Sequence, residues 1–75
     1  RIKYGLVQDG YVSLMVHDLM GRKVKSLVSL EKDAGYHSIR WDATNDVGES
    51  VSAGMYFYTI QAGEFRQTKK MILLK

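Results

Sequence analysis

The chain has 75 residues, enough for one domain and one core, since a chain this short buries only roughly 60% of its unfolded surface and cannot support two. It has no cysteine, which excludes disulfide staples and any thiolate nucleophile or metal ligand. The net charge of +3 is dispersed, with Asp9, Asp18, Glu31, Asp33, Asp42, Asp46, Glu49 and Glu64 scattered among the bases, and this argues against a nucleic-acid partner.

The chain opens at Arg1 without a charged-then-apolar leader and reads as a piece of a longer protein, so any targeting peptide lies outside it. "RIKYGL" at residues 1–6 reads as a first strand cut into by the start. From 11 to 17, Val12, Leu14 and Val16 alternate with Ser13, Met15 and His17, which predicts a strand with the first set inward. "DLMGRK" then turns: Gly21 accepts a positive φ, and Asp18 can bond the amides ahead of it. Lys23–Leu30 forms the return strand of the hairpin, anchored by Val24 and Leu27.

After "EKDAG", the stretch Tyr36–Asp42 resumes alternation, placing His37, Ile39 and an inward Trp41 on one face and Ser38 and Arg40 on the other. Residues 42–53, "DATNDVGESVSA", are turn formers connecting strands, with a short extended piece at Ser50–Ser52. Gly54 releases a dense aromatic run in which Tyr56, Tyr58 and Ile60 oppose Met55, Phe57 and Thr59; bulk on both faces predicts a central strand. Gly63 and Glu64 turn the chain, and Phe65–Leu74 returns antiparallel as the last strand. Six or seven short strands with no helical period make an all-β antiparallel sandwich in a single domain over 1–75. The longest strongly apolar run, Met71-Ile72-Leu73-Leu74, falls far short of the ~20 residues that span a bilayer, so no transmembrane segment is expected.

Catalytic chemistry is hard to assemble from these residues. His17 and His37 lie on different strands without a partner at ligand spacing; His17 is expected to face solvent and His37 to sit at the edge of the core. Ser50 and Ser52 lack the strand–turn–helix elbow of a serine nucleophile, and Gly48 and Gly54 lack the Gly-Lys-Ser/Thr and helix of a phosphate cradle. In "DATNDVG", Asp42, Thr44 and Asp46 imitate a calcium loop, but Val47 stands where glycine belongs and Ala53 where glutamate belongs. A turn in which Asp42 and Asp46 bond local amides is the better account of Asp42–Gly48. Among Tyr36, Trp41, Tyr56, Phe57 and Tyr58, alternation with aliphatics favours core packing over a sugar-stacking platform, with Phe57 and Tyr36 exposed. The basic end, Arg66, Lys69, Lys70 and Lys75, reads as a solvated strand whose lysines discourage edge pairing rather than as a phosphate site. No enzyme, cofactor or metal is expected.

Four blocks of the sequence carry a family resemblance: Asp18-Leu19-x-Gly21-Arg22; Gly35 through Trp41-Asp42, with Gly48; Ser52-Ala53-Gly54-Met55-Tyr56-Phe57-Tyr58; and Thr68-Lys69-Lys70-Met71-Ile72-Leu73-Leu74-Lys75. Together they make nearly the whole chain resemble the type A C-terminal sorting domain of the type IX secretion system and the related immunoglobulin-like domain of flagellar hook-capping proteins. The resemblance implies an immunoglobulin-like sandwich fused behind an N-terminal cargo, a secreted enzyme or adhesin. It would serve as an address read by the outer-membrane translocon of a Gram-negative bacterium, delivered via the periplasm to the cell surface and then removed by a sortase. Under it, Lys69, Lys70, Met71, Ile72, Leu73, Leu74 and Lys75 form the recognition element, held from the neighbouring strand by Gly54 and Tyr56. The alternative is a structural module of the hook-capping type or an extracellular spacer. Two departures stand out: Ala43 follows Trp41-Asp42 where such domains often have glycine, implying a different turn, and the usual Asn- and Pro-rich lead-in is missing.

Overall fold

A computed structural model describes residues 2–74 and contains six strands: β1 (Ile2–Leu6), β2 (Gly10–His17), β3 (Lys23–Lys32), β4 (Gly35–Ile39), β5 (Gly54–Ala62) and β6 (Phe65–Leu73). They form two antiparallel sheets, one of four strands in the order β3-β2-β5-β6 and one of two, β1-β4, with no helix among the described residues. The pleat explains the core. Val12, Leu14 and Val16 point to one side of β2 and are completely buried, joined by Val28 of β3, Ile60 and Tyr56 of β5, and Ile2 of β1 from the smaller sheet. Each such aliphatic side chain contributes roughly 1.5–3 kcal/mol relative to exposure. Tyr4, Leu6, Ile39, Tyr58 and Met71 pack around this cluster, half-buried.

Of the expected anchors of β3, Leu27 packs on the core, whereas Val24 is only half-buried and the buried residue of the strand is Val28. The β2–β3 register runs Leu14↔Val28 and then Met15↔Ser26, leaving Leu27 as the extra residue of a bulge; a second shift lies between Val16 and His17. A bulge resets the parity of the side chains, so Leu27 and Val28 both pack on the core. The strand also runs on through Glu31 and Lys32, where a break is expected from the sequence.

The strand expected over Tyr36–Asp42 ends earlier, at Ile39, where β4 pairs opposite Ile2 of β1. Trp41 lies past that end and is half-buried rather than internal: its indole Nε1–H donates to the Thr44 carbonyl at 2.9 Å, which needs the ring at the rim of the sandwich. The extended piece expected at Ser50–Ser52 reduces to one bridge, Thr44↔Ser50. The remaining elements follow the sequence reading. Gly21 has φ +83, Asp18 Oδ1 accepts from the backbone N–H groups of Met20 and Arg22 at 2.9 Å each, and β5 is an inner strand.

Ala43, where the resemblance leads to an expectation of glycine, adopts φ +65, and the Val51 amide donates to its carbonyl at 2.9 Å. A Cβ in the left-handed region costs roughly 1–2 kcal/mol, and glycine gives back part of the gain through its looser unfolded state. Ala43→Gly is therefore expected to raise stability by about 0.5–1 kcal/mol in urea unfolding; a loss of that size would show that the turn is held by something other than local backbone preference.

Candidate functional site

The edge formed by the β5–β6 hairpin collects the residues expected to form a recognition element. Its corner begins at Gly54, whose φ of +147 is a conformation that side chains rarely adopt and which swings the chain from the 42–53 connection into β5. Tyr56 fixes the corner: its hydroxyl donates to the Ser52 carbonyl at 2.6 Å, and its ring meets Trp41 edge-on at 5.1 Å. From there the β5–β6 ladder is unbroken, with Gly54↔Leu73, Tyr56↔Met71, Phe57↔Lys70 and Tyr58↔Lys69. Gly54 and Tyr56 are thus direct cross-strand neighbours of the last strand. Thr59 and Thr68 link the two strands further along through their hydroxyls at 2.9 Å.

Lys69 and Lys70 are exposed, Met71 and Leu73 are half-buried, and Ile72 and Leu74 face outward at 66% and 84% exposure, which is the expected alternation. Leu74 lies just beyond the end of β6, and Lys75 falls outside the described residues. On the core-facing side, Phe65, Gln67 and Lys69 remain exposed because β6 extends past the cover that the two-stranded sheet gives to β2 and β5. An open, mostly apolar cleft lies at the turn end, bounded by Leu6, Val7, Val12, Ala62 and Phe65.

The two edges of the larger sheet differ. Along β3 the 42–49 connection folds over: the Asp46 amide donates to the Val24 carbonyl at 3.0 Å, the Ser26 amide to Asp46 Oδ1 at 3.0 Å, and Lys25 Nζ to the Asn45 carbonyl at 3.3 Å. No such cover lies along β6 among the described residues. Sequence reasoning found the lysines and read them as guarding an edge but did not find this asymmetry, because the cover over β3 is made by contacts some twenty residues apart in sequence.

The other candidates are accounted for by local structure. His37 stacks on Tyr4 at 5.4 Å, and its Nε2–H donates to the Asp33 carbonyl at 2.7 Å, so it is a half-buried structural side chain. His17, expected in solvent, is half-buried and lies opposite Phe57, which is half-buried rather than exposed for the same cross-strand reason. Tyr36 is 96% exposed and lies over Gly5, where an added Cβ would come within 3.3 Å of its ring.

The acids hold turns. The Thr44 hydroxyl and amide both donate to Asp42 Oδ1, at 2.5 and 3.2 Å; Asp46 takes the Ser26 amide and the Lys23 ammonium, the latter at 3.6 Å; Asn45 Oδ1 accepts from Val47 and Glu49 amides. With these oxygens already occupied by protein donors, millimolar calcium is expected to leave the melting temperature unchanged; a rise of several degrees reversed by a chelator would overturn that assignment. Three aspartates are held below the ordinary carboxylate range: Asp18 chiefly by the Arg22 amide, Asp42 by the Thr44 hydroxyl and Asp46 by the Ser26 amide, with burial opposing each. A carboxylate whose folded pKa lies below its unfolded value of about 4 stabilises the fold above that value and ceases to as pH falls through the folded pKa. Stability is therefore expected to hold from neutral pH to about pH 4 and to decline below it, and Asp18→Asn should flatten part of that decline; an unchanged acid limb would remove Asp18 from the account.

The FlgD Ig-like domain family model matches residues 8–64, from the β1–β2 connection to the β5–β6 turn. No curated protein and no solved structure matches the chain.

Proposed function

The chain belongs to the FlgD Ig-like domain family, and on that premise we propose that it acts without catalysis, as an immunoglobulin-like module of the hook-capping type that joins an extracellular protein to its neighbours. The observation that carries this reading is that the family match spans β2 to β5, the strands that supply most of the buried core, while Asp18, Asp42 and Asp46 of that span are engaged in building turns and connections. Stabilised turns on a rigid sandwich suit a spacer or docking module, whose work is to hold surfaces in place.

A second reading is favoured by one feature outside that match, the exposed Lys69 and Lys70 on a terminal strand braced by Tyr56. Under it the domain is a type IX sorting signal, recognised by the translocon through residues 69–75, carrying an N-terminal cargo to the surface of a Gram-negative cell and removed there by a sortase. The two readings part on one experiment. In the full-length parent, deletion of residues 69–75 should leave location unchanged if the domain is a structural module, with only its assembly impaired. Folded parent protein accumulating in the periplasm would replace that reading with the sorting signal.

A further inference from the structure

We propose that the free edge of β6 receives an acidic, extended segment of a partner protein as an added antiparallel strand. This goes beyond the module reading, which names no partner and no mode of contact. Strand addition needs an edge that is long, regular and uncovered, and β6 satisfies all three. It runs nine residues, Phe65–Leu73, in an unshifted ladder with β5, its one neighbour in the sheet among the described residues. The opposite edge, β3, carries two register shifts and is bonded by Asn45 and Asp46 at Val24–Ser26. The sandwich thus covers and irregularises one edge of its main sheet and leaves the other regular and open among the described residues.

Charge selects the occupant. β6 carries Arg66, Lys69 and Lys70, all exposed, and no acid. By the β5 register, Lys69 lies on the core-facing side with Met71 and Leu73, whereas Arg66 and Lys70 lie on the outer side with Ile72. An incoming strand with acids opposite these cations and apolar residues opposite Met71 and Ile72 finds complementary partners on both faces. A second copy of this chain is poorly matched in the registers of fullest overlap: centred on Thr68, two antiparallel β6 strands would set Lys70 against Arg66, and centred on Lys69 they would set that lysine against itself. Like charges directly opposite destabilise a pair. A nucleic-acid strand would use the cations but would leave the row of edge amides and carbonyls without the backbone partners that an extended peptide supplies.

The test is binding of three labelled probes to the 75-residue chain, followed by fluorescence anisotropy and by amide chemical shifts. The probes are a ten-residue peptide of valine and glutamate, its lysine-for-glutamate counterpart, and a ten-nucleotide oligodeoxythymidine. The glutamate peptide is expected to bind, to shift the amides of Arg66–Ile72 while leaving β3 unmoved, and to weaken as salt approaches the ~10 Å screening length of 0.1 M. Lys69→Glu with Lys70→Glu should weaken it about tenfold or more, and the Lys69→Gln, Lys70→Gln pair by less, while the spectrum of β2 stays native. The proposal fails if the glutamate peptide does not bind, if the lysine peptide or the oligonucleotide binds as tightly, if the shifts gather away from β6, or if charge reversal leaves affinity intact.

Discussion

Leu14→Ala is expected to remove about 3 kcal/mol of stability, within the 2–5 kcal/mol range of buried leucine truncations. Leu14 is completely buried and is the largest of the three side chains that are, and it sits between Val28 on one neighbouring strand and Ile60 on the other. The void it leaves therefore lies on a strand bonded on both sides, which cannot close in without breaking ladder hydrogen bonds. Chains of this size hold roughly 4–11 kcal/mol in total, so the variant should show a much lower urea midpoint and a measurable unfolded population at 37 °C. Leu19→Ala, at a turn position 63% exposed, is the matched control and should shift stability by less than about 0.5 kcal/mol. Equal effects at the two leucines would mean that β2 is not the centre of the core.

How much of this was legible in the sequence depends on whether a feature is local. The inward set of β2 follows from strict alternation, and the central position of β5 follows from bulk on both of its faces. Val28 was hidden because two register shifts, which leave Leu27 and Val24 as extra residues, break the alternation on which any reading of β3 relies. Trp41 continued the alternation of β4 in sequence, but a strand persists only where it has a partner, and the indole instead closes the rim through Thr44 and Tyr56. The edge of β6 was half legible. Its lysines and its alternation are written in the chain, whereas the contrast with the other edge follows from Asp46, twenty residues from Ser26 in sequence, folding over β3.

Gly54→Ala, the second large effect, is expected to cost about 1–3 kcal/mol even though nothing lies within 4 Å of the Cβ it would add. The penalty comes from the backbone: φ +147 is disfavoured for a residue with a side chain, and the chain can relax only by turning the corner differently. Gly10→Ala has the same open surroundings without the positive φ and should stay within about 0.5 kcal/mol. The strain should also be directional. Tyr56 reaches back across the corner to the Ser52 carbonyl, and Tyr56→Phe alone should cost about 1 kcal/mol for that bond. If Gly54 and Tyr56 define one corner, the double variant should cost less than the sum of the two singles, since the first substitution already displaces the acceptor that the hydroxyl needs. Because Gly54 pairs with Leu73 and Tyr56 with Met71, amide exchange should quicken at Met71–Leu73 before it does at Val12–Val16. Uniform quickening across both strands would instead mean that the corner supports the whole sandwich equally, and that β6 owes its rigidity to the turn at Gly63.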